Sequence, residues 1–388
     1  MKKLEYIRVL VLKFVQDESS APEIWLSELE ITLVLHVTQA QSFISGQLLY
    51  FARSWIRALF EITESISVYF GGSSCISKED GPPSASEFLR LVQATLSKML
   101  PFVDAIVAKG AVVEAADVKL QALILVRDAL CTASVQILSF RVETRDILSA
   151  DLPMAKLDEA IWDTTQEAKI GVMSSWWDTP RSSDIHPVTR SLISYIKVLW
   201  ANHRSVDPIL HDAFLRGHFV PTNVNVRHLT NLTVEMVHCL EEKLTRESKP
   251  FLDQSLKFLF LINNFHFILQ QLSPWGFSMQ ELARKINDNG NSYIQVSWAP
   301  VLKCLHNPTL HCFTRRSTLP KFESKFQQTY NAQKLWKIPD PGMRKRMREA
   351  IVKEVIPDFT EFFKDYTIST PRITPQVMKN MLEELFEG

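Results

Sequence analysis

The sequence predicts an all-α protein: an elongated rod of stacked helical bundles with about 12–15 helices. Three observations carry this reading. Apolar residues recur at helical spacing along the chain, and no apolar–polar alternation bounded by hairpin turns is found. Prolines (19) outnumber glycines (11), and several follow a polar residue at the start of an apolar-periodic run, where a missing N–H costs nothing. Residues 111–149 contain neither Gly nor Pro. As one helix they would run roughly 58 Å, against about 55 Å across a compact globule of this chain length.

The elements follow in order. Gly71-Gly72 through Pro82-Pro83-Ser84 reads as a loop, and Ser84 with Glu87 as a capping box opening a helix. In 111–149, Leu120, Leu123, Ile124, Leu130, Ile137 and Leu138 form one apolar face, and Val126 and Val135 another, as in the middle helix of a bundle. Asp178 to His186 is a second loop. Pro187 then starts a helix with Val188, Leu192, Tyr195, Ile196, Leu199 and Trp200 on one side. Asp207-Pro208, Lys249-Pro250, Asp340-Pro341 and Thr374-Pro375 repeat that start signal, and Asn287 to Asn291 reads as a loop. The expected organisation is an N-terminal helical bundle over 1–84 and a C-terminal region over 85–388. The latter divides into bundles at 85–205, 206–316 and 317–388, and no repeat period is evident.

Composition removes several functions. The 43 Lys+Arg balance 43 Asp+Glu, so no overall field draws the chain to nucleic acid. The glycines match neither G-x-G-x-x-G nor a Walker-type loop, and G-x-S-x-G is missing too. Five cysteines, an odd number, suit free buried thiols in a reducing compartment. Glu5, Arg8 and Lys13 interrupt any signal peptide, and Leu256–Leu269 is too short and too polar to span a bilayer. The expectation is a soluble, cytosolic chain whose membrane contact is peripheral.

Few residues promise chemistry. Cys304, His306, His311 and Cys312 cluster, but not at a usual zinc spacing, and an incidental helix end explains them as well. Diphosphate–metal chemistry of the terpene-cyclase kind needs D-D-x-x-D, and the chain has no adjacent Asp pair. His266 reads as a general base or, more simply, as a partner for buried polar groups beside Asn263 and Asn264. Asn231-Leu232-Thr233 is a glycosylation sequon by letter only. No cofactor and no metal is implied.

Charge placement stands out. Eleven basic residues lie between Lys303 and Arg348 against Glu323 and Asp340, an excess of nine, and from Glu349 onward the balance reverses to −4. A solvated helical face, an anionic membrane and nucleic acid all remain open as explanations. The remainder of the chain, at −5, and the missing binding-module signatures speak against the last.

Leu319 to Pro341, ending in Gln-Lys-Leu-Trp-Lys-Ile-Pro-Asp-Pro, resembles the C-terminal domain of the seventy-kilodalton exocyst subunit family in its plant form. Ile185-His186-Pro187-Val188-Thr189-Arg190 resembles the family's H-P-x-T-R, Phe258 to Asn264 its F-L-x-N-N, and Leu385-Phe386 its terminal L-F. Ser86 to Pro101 is similar to a further segment. The resemblance implies a helical rod without enzymatic activity that helps to tether secretory vesicles at the plasma membrane. It also implies contact with other exocyst subunits, small GTPases and phosphoinositide. The long N-terminal rod of the family has no counterpart here, so the chain reads as an N-terminally shortened member. The two lysines of the family's lipid motif fall on Ser369 and Arg372, so one charge is kept. The expected lipid-binding set is Lys334, Lys337, Arg344, Lys345, Arg346, Arg348 and Arg372. The alternative is a divergent adaptor or decoy that binds an immune receptor or pathogen effector and no lipid.

Overall fold

The computed structural model describes residues 2–39, 46–72, 85–108, 115–138, 151–174, 182–276, 279–305, 315–364 and 373–388. Residues 73–84, expected to form a loop ending in the cap Ser84, residues 139–149, Cys75, His306, His311, Cys312, Ser369 and Arg372 lie outside them. Among the described residues there are seventeen α-helices and no β-strand. Fifteen of the helices have eight residues or more, which agrees with the all-α expectation. The chain divides into two compact units, Met1–Ile170 with Ser194–Leu232, and Gly171–Ile193 with Thr233–Gly388.

The first unit holds α1 (Lys2–Gln16), α2 (Ser20–Glu28), α3 (Thr32–Gln39), α4 (Leu48–Gly72), α5 (Ala85–Met99), α6 (Pro101–Val107) and α7 (Ala116–Leu138). It continues with most of α8 (Asp151–Ser174), the end of α9 (Pro187–Ala201), α10 (His203–Leu215) and the start of α11 (His228–Ser248). Trp55 of α4 is buried, and its indole N–H donates to the Met99 carbonyl at 2.9 Å while its ring stacks on Phe102. The α7 helix packs along α4 and has the length and composition of a membrane span. Its Leu120, Leu123, Ile124, Val126, Leu130 and Ile137 are nonetheless buried in this unit, as a bundle's middle helix requires. Val135 and Leu138 depart from the expectation: they lie three residues apart on one side and are exposed. Cys131, expected to be buried, is also exposed, and Cys239 and Cys304 are half-buried, all three as free thiols. Asn231 is a loop latch. Its amide donates to the carbonyls of Asn223 (2.9 Å), Val226 (3.1 Å) and Arg227 (3.2 Å), and its Oδ1 accepts from the Asn223 N–H at 2.9 Å.

The second unit is built on a hairpin of α12 (Gln254–Leu272) and α13 (Gln280–Ser297), followed by α14 (Ala299–Leu302), α15 (Arg315–Lys334), α16 (Pro341–Lys364) and α17 (Pro375–Glu383). Pro187, Pro341 and Pro375 open their helices as expected. Pro208 instead lies inside α10, which starts at His203, and the carbonyl it frees belongs to exposed Arg204 in the first turn. Pro250 precedes α12 by four residues, and the true cap is Asp253, which accepts from Ser255 N–H (2.8 Å) and Leu256 N–H (3.2 Å).

The stretch Asn287–Asn291, read as a loop, is the middle of α13. Burial of Leu282, Ile286 and Tyr293 on one side of this helix overrides its poor local propensity. A Cβ built on Gly290 meets nothing within 4 Å. Gly290→Ala is therefore expected to raise the stability of this unit by about 1 kcal/mol, read from urea denaturation. A loss of stability would show that Gly290 is required by packing within the chain.

Candidate functional site at the end of the chain

Four of the five segments that carried the family resemblance meet in the second unit; Ser86–Pro101 belongs to the first. Asn264 is fully buried; its Oδ1 accepts from the His186 N–H (2.8 Å) and the Thr189 hydroxyl (2.8 Å). Its amide donates to the carbonyls of Phe260 (2.8 Å) and Asp184 (3.3 Å). Asn263 donates to the carbonyls of Ser183 (2.6 Å) and Lys337 (2.9 Å). The Ser183 hydroxyl donates to the Lys337 carbonyl at 2.8 Å and accepts its N–H at 3.0 Å. The Ile338 N–H donates to the Phe386 carbonyl at 3.3 Å, beside an isolated antiparallel bridge between Lys337 and Glu387. Buried amides require such partners, and here they join the 183–189 segment, α12, the Trp336–Pro341 turn and the C-terminal residues.

Aromatic packing supports the junction. Phe322, Phe326 and Tyr330 lie on one side of α15 at four-residue spacing, and Phe322 stacks on Phe359 of α16 with ring centres 4.9 Å apart. Buried Gln333 accepts from the Tyr293 hydroxyl. Desolvation pushes that phenol well above its ordinary range.

Asp340 caps α16: its Oδ1 accepts the Met343 N–H at 2.6 Å, and Gln270 donates to its Oδ2 at 3.2 Å. His266 Nε2 lies 3.1 Å from the same carboxylate. Burial holds the imidazole below its ordinary value even with Asp340 beside it, so a neutral ring donates to the cap. For Asp340 burial acts upward, but the Met343 N–H and His266 outweigh it and keep the carboxyl below its usual range. His266 thus supports a helix start, the simpler of its two readings.

The basic residues fall into two sets. Arg344 and Arg348, one turn apart on α16, point at the C-terminal residues and both bind the Glu387 carboxylate. Arg344 also donates to the Ile338 carbonyl (3.1 Å) and Arg348 to that of Leu385 (2.8 Å), and each side chain is 19% exposed. These contacts, with Arg348 the strongest, hold the Glu387 carboxyl below its ordinary value. Lys334, Lys337, Lys345 and Arg346 form the outward set. Lys334 lies over the Tyr330 ring and 3.7 Å from Glu384, and Lys345 is 3.9 Å from Glu349 with 78% of its side chain exposed. Arg346 has no ion-pair partner among the described residues. The seventh expected residue, Arg372, lies outside the described residues.

Sequence reasoning missed Glu384 and Glu387. Their signal was the acidic reversal that follows the basic block, read as net charge and not as pairing. Of the candidate metal cluster only Cys304 is described, with its thiol 3.6 Å from the Pro300 carbonyl. No group of three or more metal-ligating side chains occurs among the described residues.

The family model for the C-terminal region of the Exo70 exocyst complex subunit matches residues 74–385. Exocyst complex component EXO70A1 of Arabidopsis thaliana is 23% identical over 239 residues, 53% of this chain and 36% of that protein. EXO70C1 of the same plant is 22% identical over 277 residues, 61% of this chain and 42% of that protein. The chain thus spans well under half the length of these relatives. The solved structure of Exo70 from S. cerevisiae aligns over 99% of this chain and 80% of its own, at 12% identity and a TM-score of 0.48. With the match covering well over half of its length, the chain belongs to the family defined by the C-terminal region of Exo70, a subunit of the exocyst complex.

Proposed function

We propose that the chain acts without catalysis as part of an exocyst-type subunit that helps to tether secretory vesicles at the plasma membrane. It works in the cytoplasm, peripheral to the bilayer, with other exocyst subunits and small GTPases as partners. The observation that carries its membrane role is the outward set Lys334, Lys337, Lys345 and Arg346, displayed beside the polar junction. At about 1 kcal/mol per cation near anionic lipid, four cations favour the membrane by about 4 kcal/mol, roughly a thousandfold in partitioning. Salt weakens this over a screening length of about 8 Å.

The test is sedimentation with phosphatidylinositol-bisphosphate liposomes. Lys337→Glu/Lys345→Glu/Arg346→Glu is expected to lose about a hundredfold or more in partitioning, and equal pelleting of variant and wild type overturns the reading. Arg344 and Arg348 are unsuited to this test because they hold the C-terminal residues. A second reading, an adaptor or decoy that binds immune receptors or pathogen effectors and no lipid, draws support from Glu387, which already engages two of the expected cations. Affinity purification separates the two: co-purifying exocyst subunits favour tethering, and their consistent absence favours the adaptor.

A further inference from the structure

A groove in the second unit lies between α13 and α16 over a floor from α12. Its lining is mixed: Ile262, Ile286, Ile294, Met343 and Met347 supply the apolar part, Asn287, Asn291 and Arg346 the polar part, and Gly290 lies on the α13 wall. Among the described residues, Arg346 on the α16 wall is the only charged one that lines it. The nearby Asp288 is already bound to Arg284 at 2.6 Å.

Two features need an explanation from outside the chain. The middle of α13 reads Asn-Asp-Asn-Gly-Asn from 287 to 291, among the poorest helix-forming stretches available without proline. A glycine inside a helix is destabilising relative to alanine, yet nothing in this chain comes within 4 Å of a Cβ placed there, so no internal contact requires it. Local preference and fold conflict here with no internal benefit, which is the pattern of a functional surface. Secondly, Arg346 extends along the groove without a carboxylate partner among the described residues.

We infer that this groove is a docking site for an amphipathic helix of another protein that brings an aspartate or glutamate to Arg346. The groove runs from Ile286 to Ile294, roughly 12 Å or two helical turns. That length takes apolar residues at i, i+3 or i+4, and i+7, the pattern by which helices enter grooves. The missing Cβ at Gly290 lets the partner's backbone lie close, as small residues do where helices cross tightly. Met343 and Met347 give the α16 wall side chains that adjust to the groove's contents. Asn287 and Asn291, one turn apart on either side of Gly290, offer amides to the partner's polar edge.

The experiment uses the full chain and a phage-displayed library of helical peptides. The peptides carry Leu, Ile, Met or Phe at the spaced positions and Glu, Gln or Lys at the flanking ones. Selected peptides are expected to keep an acidic residue at one register. They should bind about tenfold more weakly to Arg346→Glu, with binding regained by the Lys-bearing counterpart. Gly290→Arg, which fills the groove, should abolish binding while leaving liposome pelleting intact, so this inference and the lipid reading fail separately. If Gly290→Arg does not fold, exposed Arg346→Glu and its rescue still decide. Peptides indifferent to both substitutions overturn the proposal, as does a selection that yields no binder. Self-association in sedimentation velocity that Gly290→Arg removes also overturns it, by assigning the groove to a second copy.

Discussion

Phe386→Ala will lower the stability of the second unit by about 4 kcal/mol, the scale of deleting a fully buried aromatic ring. Phe386 is fully buried, edge-on to Tyr293 at 6.2 Å between ring centres, and follows Leu385, which is equally buried. Its backbone has φ +69°, a left-handed conformation that disfavours a bulky residue. The ring's burial sustains that conformation, and alanine keeps the strain while losing the ring. The effect should spread along named contacts. Glu384 holds the Tyr330 hydroxyl at 3.0 Å, and Glu387 holds Arg344 and Arg348. Hydrogen-exchange mass spectrometry should therefore show faster exchange in α15 and α16 and an unchanged rate in α4 and α7. A loss below about 1 kcal/mol, or exchange unchanged in α16, would mean that the last residues only decorate the surface.

Asn264→Leu comes next, at about 3 kcal/mol or more. The apolar side chain is similar in size, so the cost is polar: the His186 N–H and the Thr189 hydroxyl lose their acceptor, and two carbonyls lose a donor. Asn263→Leu is the internal control and should cost less. The Lys337 carbonyl that Asn263 serves still accepts the Ser183 hydroxyl at 2.8 Å. Urea denaturation compares the two variants, and an equal or reversed order would contradict the assignment of Asn264 as the centre of the junction.

The outward and inward cations show why charge counts do not locate a surface. Arg344, Lys345, Arg346 and Arg348 read as one basic run. Each step along α16 turns a side chain by about 100°, so neighbours in the run face different surroundings. Two of the four reach Glu387 and become part of the packing, while the other two stay outward. The distinction depends on where a carboxylate about forty positions away comes to rest, as the 43-residue separation of Arg344 and Glu387 shows. The Asn287–Asn291 stretch failed for a related reason. Turn chemistry is a local preference, and burial of the flanking Leu282, Ile286 and Tyr293 outweighs it.

Three of the five proline-marked helix starts, at Pro187, Pro341 and Pro375, and the apolar stripe of α9 were readable from the chain alone, because capping and periodic burial act over four residues or fewer. Thr374 caps α17 through the Val377 N–H, Asp340 caps α16, and Val188, Leu192, Tyr195, Ile196 and Leu199 are each buried as their spacing required. The family signature was readable for the same reason, since it lies in short contiguous runs. The polar junction was not. Ser183 and Lys337 are 154 residues apart, and Asn263 and Lys337 are 74 apart. Nothing in either neighbourhood names the other. Only folding brings such groups out of water together, and once there an unpaired donor or acceptor costs more than the bond it makes, so burial settles the pairing.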